Sequence, residues 1–376
     1  MNINETGRYI VHLVFSVLNS TNPSPKPEGV SFEDIYNLSG KHNLTVICLH
    51  AIEKLDEKPE EELYEKWKKK AENARILSIL QMTENENILK SMTDHEIRCL
   101  PLKGILLKEM YPMPELREMA DLDILIDKKD QQNARIVMEQ LGYEVESFDQ
   151  FNEDSYRKVQ FVHVEMHNQL VTEFSADQMN GTIDEIKHPF EYSIETDRKY
   201  EYRMTDENFY IFLIVHLAKH YLYSGVGIRP FADIYLFRKI KHLNYDYIAS
   251  RLEKMGLLEF AENVEKLIQF WLSGQDMSDE LYKMENMVFS SGSFGNAEGK
   301  ILNIISKGKR SSISYALYRI FPPYHLMILL YPTLRRRKIC LPVYWLHRLV
   351  FKGIPGIPGF AKEMETFRRI RNKEEQ

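Results

Sequence analysis

The stretch that most constrains the fold is "DLDILID", Asp121 to Asp127. Its apolar run carries two aspartates one residue apart. In a strand, residues i and i+2 share a face. Asp121 and Asp123 therefore project together, while Leu122 projects to the other side. Carboxylates are rarely buried without a partner. A chain holding this strand must bring a cation to that face or leave the face in water.

The neighbouring residues set the architecture. "IRCLPLKG" (Ile97 to Gly104) reads as a short strand ending in a turn, and "GILLKEMY" as a helix that starts at Gly104. Lys128 to Glu144 has helical spacing with a glycine near its end. "QFVHVEMHN" (Gln160 to Asn168) is a further strand, and "LVTEFSA" either continues the sheet or forms a loop beside it. The order strand–helix–strand–helix–strand predicts a small unit of mixed sheet. On both sides, apolar residues recur every three or four positions, as in "EELYEKWKKKAENARILSILQ" and "DENFYIFLIVHLAKHYLY". Ser31 is placed to cap the helix it precedes. The expected class is α+β, a mixed-sheet core flanked by N- and C-terminal helical regions. The expected division is a helical region 1–96, a core 97–204, a helical region 205–289 that closes the cleft, and a basic, aromatic region 290–376.

Three cysteines among 376 residues, far apart in the chain, argue against a disulfide framework and suit a reducing cytoplasm. "MNINETGRYIVHLVF" lacks the basic start and clean apolar core of a signal peptide. Arg319, Pro322 and Pro323 interrupt the best candidate for a membrane span, so no transmembrane segment is expected. Charge is unevenly spread. Residues 300–376 hold 16 Lys+Arg against 4 Asp+Glu, a net of +12, while residues 1–299 carry −18. The tail either neutralises the body or meets an anionic partner. "RRRK" (Arg335 to Lys338) near Tyr344, Trp345 and Arg348 fits a packed helical cap, or binding to RNA or a membrane surface.

Two adjacent carboxylates raise each other's pKa unless a cation lies between them. A divalent ion resolves this, and Mg²⁺ takes oxygen ligands from one or two carboxylates together with substrate phosphates. A two-metal phosphoryl-transfer site needs a third carboxylate. In "FVHVEMHN", Phe161, His163, Glu165 and His167 share one face, and Val162, Val164 and Met166 the other. Glu165 can meet Asp121 and Asp123 if the two strands are neighbours. The competing reading is a D-x-D pair at a strand edge in water.

The ordered elements Leu102-Lys103-Gly104, Tyr111-Pro112, Arg117, Met119, Asp121-Leu122-Asp123 and Glu165-Met166-His167 resemble the uncharacterised nucleotidyltransferase family of the polymerase-β superfamily. "HLAKHYLYSGVGIRPFADI" and the tail extend the resemblance. It implies a metal-dependent transfer of a nucleoside monophosphate from an NTP, such as ATP, to an acceptor. Asp121, Asp123 and Glu165 would be both the catalytic residues and the ligands of Mg²⁺ (or Mn²⁺), with Glu165 helping to deprotonate the attacking hydroxyl. Lys103, Gly104, Arg117, Lys219 and His220 would contact the nucleotide. The acceptor it implies is a small molecule, tRNA or a protein. The superfamily's Gly-Ser turn is Gly104-Ile105 here, and Lys103 is the candidate replacement for the missing hydroxyl. That departure also motivates a rival, a non-catalytic NTP-binding or scaffold module.

Other residues have two readings each. Arg117 suits a triphosphate or pairs with Glu115 or Glu118. His216 and His220 share a helix face, but no H-E-x-x-H motif accompanies them, so structural roles compete with contacts to phosphate or base. Arg229 and Asp233, at i and i+4, are expected as a structural ion pair.

Overall fold

The alternation in Asp121–His167 becomes a five-stranded sheet in the computed structural model. The structure describes residues 3–149, 153–158, 162–171, 181–223, 225–274, 277–292, 338–348 and seven single positions between 317 and 334. Most of the expected "LVTEFSA" segment and Arg335–Arg337 lie outside the described residues. The strands are β1 (Cys99–Pro101), β2 (Asp121–Ile126), β3 (Glu144–Ser147), β4 (Glu153–Lys158) and β5 (Val162–His167), in the order β1-β2-β5-β4-β3. β2 and β5 run parallel; the other pairs are antiparallel. The sheet is therefore mixed, as expected, but it has two strands more than the sequence pattern announced. β3 and β4 read "EVES" and "EDSYRK", almost wholly polar; most of their side chains are half-buried or exposed, and Tyr156 is the one that joins the main hydrophobic cluster fully.

Period two sorts the central strands into a dry face and a wet one. Leu122, Ile124 and Ile126 of β2 and Val162, Val164 and Met166 of β5 lie in one hydrophobic cluster. It is closed by Ile88, Leu89 and Met92 of the long helix α4 (Glu61–Asp94) and by Ala134, Val137 and Met138 of α6 (Gln131–Gln140). Each fully buried aliphatic side chain of this kind contributes about 1.5–3 kcal/mol. A one-residue slip of β2 would drive both aspartates into this cluster. The register is therefore enforced by the same residues that make the opposite face polar.

Helices surround the sheet in the first of two compact units, residues 1–219 with 226–293. α1 (Ile3–Leu18), α2 (Phe32–Lys41) and α3 (Thr45–Ile52) precede α4. The Ser31 hydroxyl accepts from the Asp34 amide at 3.0 Å, the expected cap. α5 (Gly104–Lys108) is a single turn between β1 and β2. α7 (Asp184–Lys187) and the small hairpin β6 (Ser193–Glu195) and β7 (Tyr202–Met204) lead to α8 (Asp206–Tyr223) and α9 (Arg229–Ile240). The second unit comprises residues 220–225 and 294–376, so His220 belongs to it although it lies on α8.

Candidate active site

Parallel pairing sets Asp121 beside His163, Asp123 beside Glu165 and Leu125 beside His167. The wet face thus gathers carboxylates and imidazoles from two strands. Asp121, His163 and Glu165 form one group able to hold a metal ion, and Asp123, Glu165 and His167 another, with donor atoms within 4.8 Å of one another in each. The third carboxylate stands where strand alternation places it. His163 and His167 were visible on the same face in the sequence but enter the site as additional donors.

Asp123 is the best-held member. Its Oδ1 accepts from Lys103 Nζ at 2.9 Å and lies 2.8 Å from His167 Nε2. His167 Nδ1 is 3.4 Å from Glu153 Oε2, so a carboxylate flanks each side of the ring. Burial works against an ionised Asp123, but the Lys103 charge and the His167 contact outweigh it and hold the carboxyl well below the usual range. Its two neighbours behave oppositely. Burial, then the Asp123 charge, raises Asp121. Burial, then Asp121, Glu153 and Asp123, pushes Glu165 up to about 8. Lys103 bonds only Asp123 among these carboxylates, Asp121 and Glu165 stay raised, and a hard divalent cation suits the surplus of carboxylate oxygens.

Lys103 owes its reach to its backbone. At φ 40° and ψ −102° it occupies a region that L-residues rarely adopt. Such strain costs on the order of 1–3 kcal/mol and concentrates at functional sites. The Leu102 amide donates to the Asp123 carbonyl at 2.9 Å, which ties the turn to β2. Lys103 Nζ also lies 3.2 Å from His216 Nε2 on α8, so a histidine with a structural reading in the sequence sits at the site. Lys219, one turn further along α8, is depressed by burial first and by the Lys103 charge second.

Gly104 and Arg117 explain each other. A Cβ on Gly104 would lie 3.0 Å from Arg117 NH1 and 3.2 Å from the Met119 methyl. The glycine therefore admits the guanidinium, which donates to the Gly104 carbonyl at 3.2 Å. Arg117, expected at a triphosphate, is buried behind the turn instead. Its Nε and NH2 donate to the two carboxylate oxygens of Asp233, each at 2.8 Å, and Tyr111 donates to Asp233 Oδ1 at 2.9 Å. Neither Glu115 nor Glu118 is its partner: Glu118 accepts from the Val46 amide and Glu115 lies 3.8 Å from Arg75. The expected Arg229–Asp233 pair is replaced too, because Arg229 NH1 donates to the Glu118 carbonyl.

A family described as an uncharacterised nucleotidyltransferase has a model that matches residues 28–273. The chain belongs to this family. The nucleotidyltransferase match takes in β1 to β7, α5, α8 and α9, and with them every residue of the site. Comparison with curated proteins and with solved structures gives no match. The mixed sheet with flanking helices is consistent with a nucleotidyltransferase-type core.

Proposed function

We propose that this chain transfers a nucleoside monophosphate from a Mg-bound NTP, with ATP as the first candidate, to an acceptor, releasing pyrophosphate. The observation that carries the reading is the joining of β2 and β5. It brings Asp121, Asp123 and Glu165 to one half-open face with fewer cations than carboxylates. The donors fit a hard divalent ion: Asp121, Asp123 and Glu165 would hold Mg²⁺ (or Mn²⁺), with His163 and His167 at the margin. Such an ion supplies charge neutralisation at the phosphates and at the leaving group.

The protein groups do the rest. Lys103, on its strained turn, reaches into the site as a phosphate contact in place of the superfamily's serine, with the Gly104 backbone beside it. Arg117 acts behind the turn, holding the Gly104 carbonyl, rather than at the nucleotide. Lys219 adds positive charge near the same face. Glu165 would join Asp121 and Asp123 in holding the ion and would help to deprotonate the attacking hydroxyl. His167 orients Asp123 through its hydrogen bond. Attack is in line on the α-phosphate, and the acceptor is a small molecule, tRNA or protein in the cytoplasm.

A second reading has its own observation. Lys103 is already bonded to Asp123, so the face is partly neutralised without substrate. An NTP-binding scaffold would bind nucleotide and never turn it over. Incubating the protein with α-labelled NTPs, Mg²⁺ and lysate separates the readings. Label on RNA, protein or a small molecule, lost in Asp121→Asn/Asp123→Asn, is the expected result. Calorimetric NTP binding without pyrophosphate release would select the scaffold, and neither binding nor transfer would refute both.

A further inference from the structure

The long helix α4 has a buried face and an exposed one. Trp67, Ile88 and Met92 lie on the buried face. On the other, a seam of eight exposed residues runs from Glu65 to Lys90 in alternate steps of four and three. Such steps keep side chains on one side of a helix, where a second helix can pack. The middle of the seam is aliphatic. Ile76 and Ile79 are 53% and 57% exposed, and Leu80 beside them is 38% exposed. Large aliphatic side chains grouped in water mark a contact surface. The proposed transfer does not use this face, because α4 covers the dry side of the sheet and the carboxylates stand on the wet side.

Charge and symmetry narrow the partner. The seam is symmetric about the midpoint of α4, between Leu77 and Ser78. A second copy laid antiparallel on it, about a two-fold axis through that point, meets it step for step. Ile76 then faces Ile79 of the second copy, and Glu72 faces its Thr83. Further out, Lys69 faces Glu86 and Glu65 faces Lys90. Each pairing occurs twice, so four opposite-charge pairs flank an aliphatic centre. Glu86 and Glu65 also pair with Arg198 and Lys68 of their own chain, yet both stay more than half exposed. A parallel copy would instead set Lys69 on Lys69 and Glu86 on Glu86. A slip by one seven-residue repeat would set Ile76 against Glu86 or Glu72. Nucleic acid and anionic lipid call for a surface of one sign, and this seam carries both signs.

We propose that the chain forms a two-fold dimer through antiparallel α4 helices, with Ile76, Ile79 and Leu80 of both copies at its centre. The aliphatic centre supplies the attraction. The flanking charge pairs fix orientation and register more than affinity. From Glu65 to Lys90 the contact runs about 38 Å along the helix.

Sedimentation equilibrium of the full chain tests the association, and a dimer is the expected result. Ile76→Ser/Ile79→Ser changes no charge and is expected to raise the dimer dissociation constant at least about a hundredfold. Circular dichroism checks that this variant stays folded. Disulfide trapping reads the register. It uses a Cys340→Ser background, since Cys48 and Cys99 are buried. There Glu72→Cys/Thr83→Cys is expected to form an intermolecular disulfide on mild oxidation. Glu72→Cys alone is expected to stay uncrosslinked, because its two copies would lie about 16 Å apart along the axis. A monomeric parent chain overturns the proposal, as does a dimer that the serine variant leaves intact. It is likewise overturned if the double cysteine variant does not crosslink, or if Glu72→Cys alone does, which is the outcome of a parallel pair.

Discussion

Two polar clusters meet at the turn before α5, and they are balanced in opposite ways. Behind the turn, Asp233 faces the Arg117 guanidinium through two hydrogen bonds and takes a third from Tyr111. Burial there is close to complete, and one carboxylate answers one guanidinium. In front of the turn, Asp121, Asp123 and Glu165 share a face, and Lys103 and His167 both serve the same Asp123. At the rear, both oxygens of Asp233 are bonded, and Arg117 is held in place by them and by the Gly104 carbonyl. The front cluster is left with carboxylates pushed up in pKa, a state that a ligand relieves. A buried pair costs much to break once built, whereas an unbalanced site stores its instability until something binds. On the proposed function, the contrast separates a residue that would support the chemistry from residues that would perform it.

The comparison can be tested from both sides. Asp121→Asn is expected to lower nucleotidyl transfer by at least about 10⁴-fold, more than about 5 kcal/mol of barrier. Retained transfer would place the chemistry elsewhere. At the rear, Asp233→Ala leaves Arg117 buried without a counter-charge and is expected to cost about 3–5 kcal/mol of stability, read from denaturant midpoints. A small cost would mean that the pair is not closed.

A third, uncharged polar contact calibrates these two. His42 is fully buried, accepts from the Ile228 amide at Nδ1 and lies 3.3 Å from the Phe289 carbonyl at Nε2. Burial lowers it from 6.5 to about 4. The unfolded chain therefore binds a proton that the folded chain refuses, and stability is lost as pH falls from 6.5 toward 4. The loss at pH 4 is on the order of 3 kcal/mol. His42→Gln should flatten that slope in pH-dependent denaturation. The smallest effect has the opposite sign: without metal, Asp121→Asn should raise stability by about 1 kcal/mol, because it removes a like charge from the front face. A loss there would show that Asp121 is already balanced.

The two clusters were not equally legible. The front one follows from period two, because Asp121, Asp123, Glu165 and His167 announce their face within two short strands. The core beneath it follows from the same alternation. The rear cluster was hidden because Arg117 and Asp233 are far apart in the chain and no local rule pairs them; i, i+4 spacing pointed to Arg229 instead. Arg229 begins α9 and turns to the Glu118 carbonyl, which leaves Asp233 to a guanidinium arriving from another element. His216 escaped for the same reason, since its contact with Lys103 spans more than a hundred residues. β3 and β4 went unread because both are short and mostly polar and send few apolar side chains into the core.

The parallel join between β2 and β5 also bears on how the chain folds. β3, β4 and β5 follow one another as an antiparallel meander, and β1 lies near β2 in sequence, so each half can form from local contacts. Asp123 and Glu165 lie about forty residues apart and meet only when the halves dock in parallel. Mutual repulsion of carboxylates opposes that docking. The carboxylate face is thus a seam between the two halves of the sheet, and any ligand that bridged the two strands would also act as a clasp on the fold.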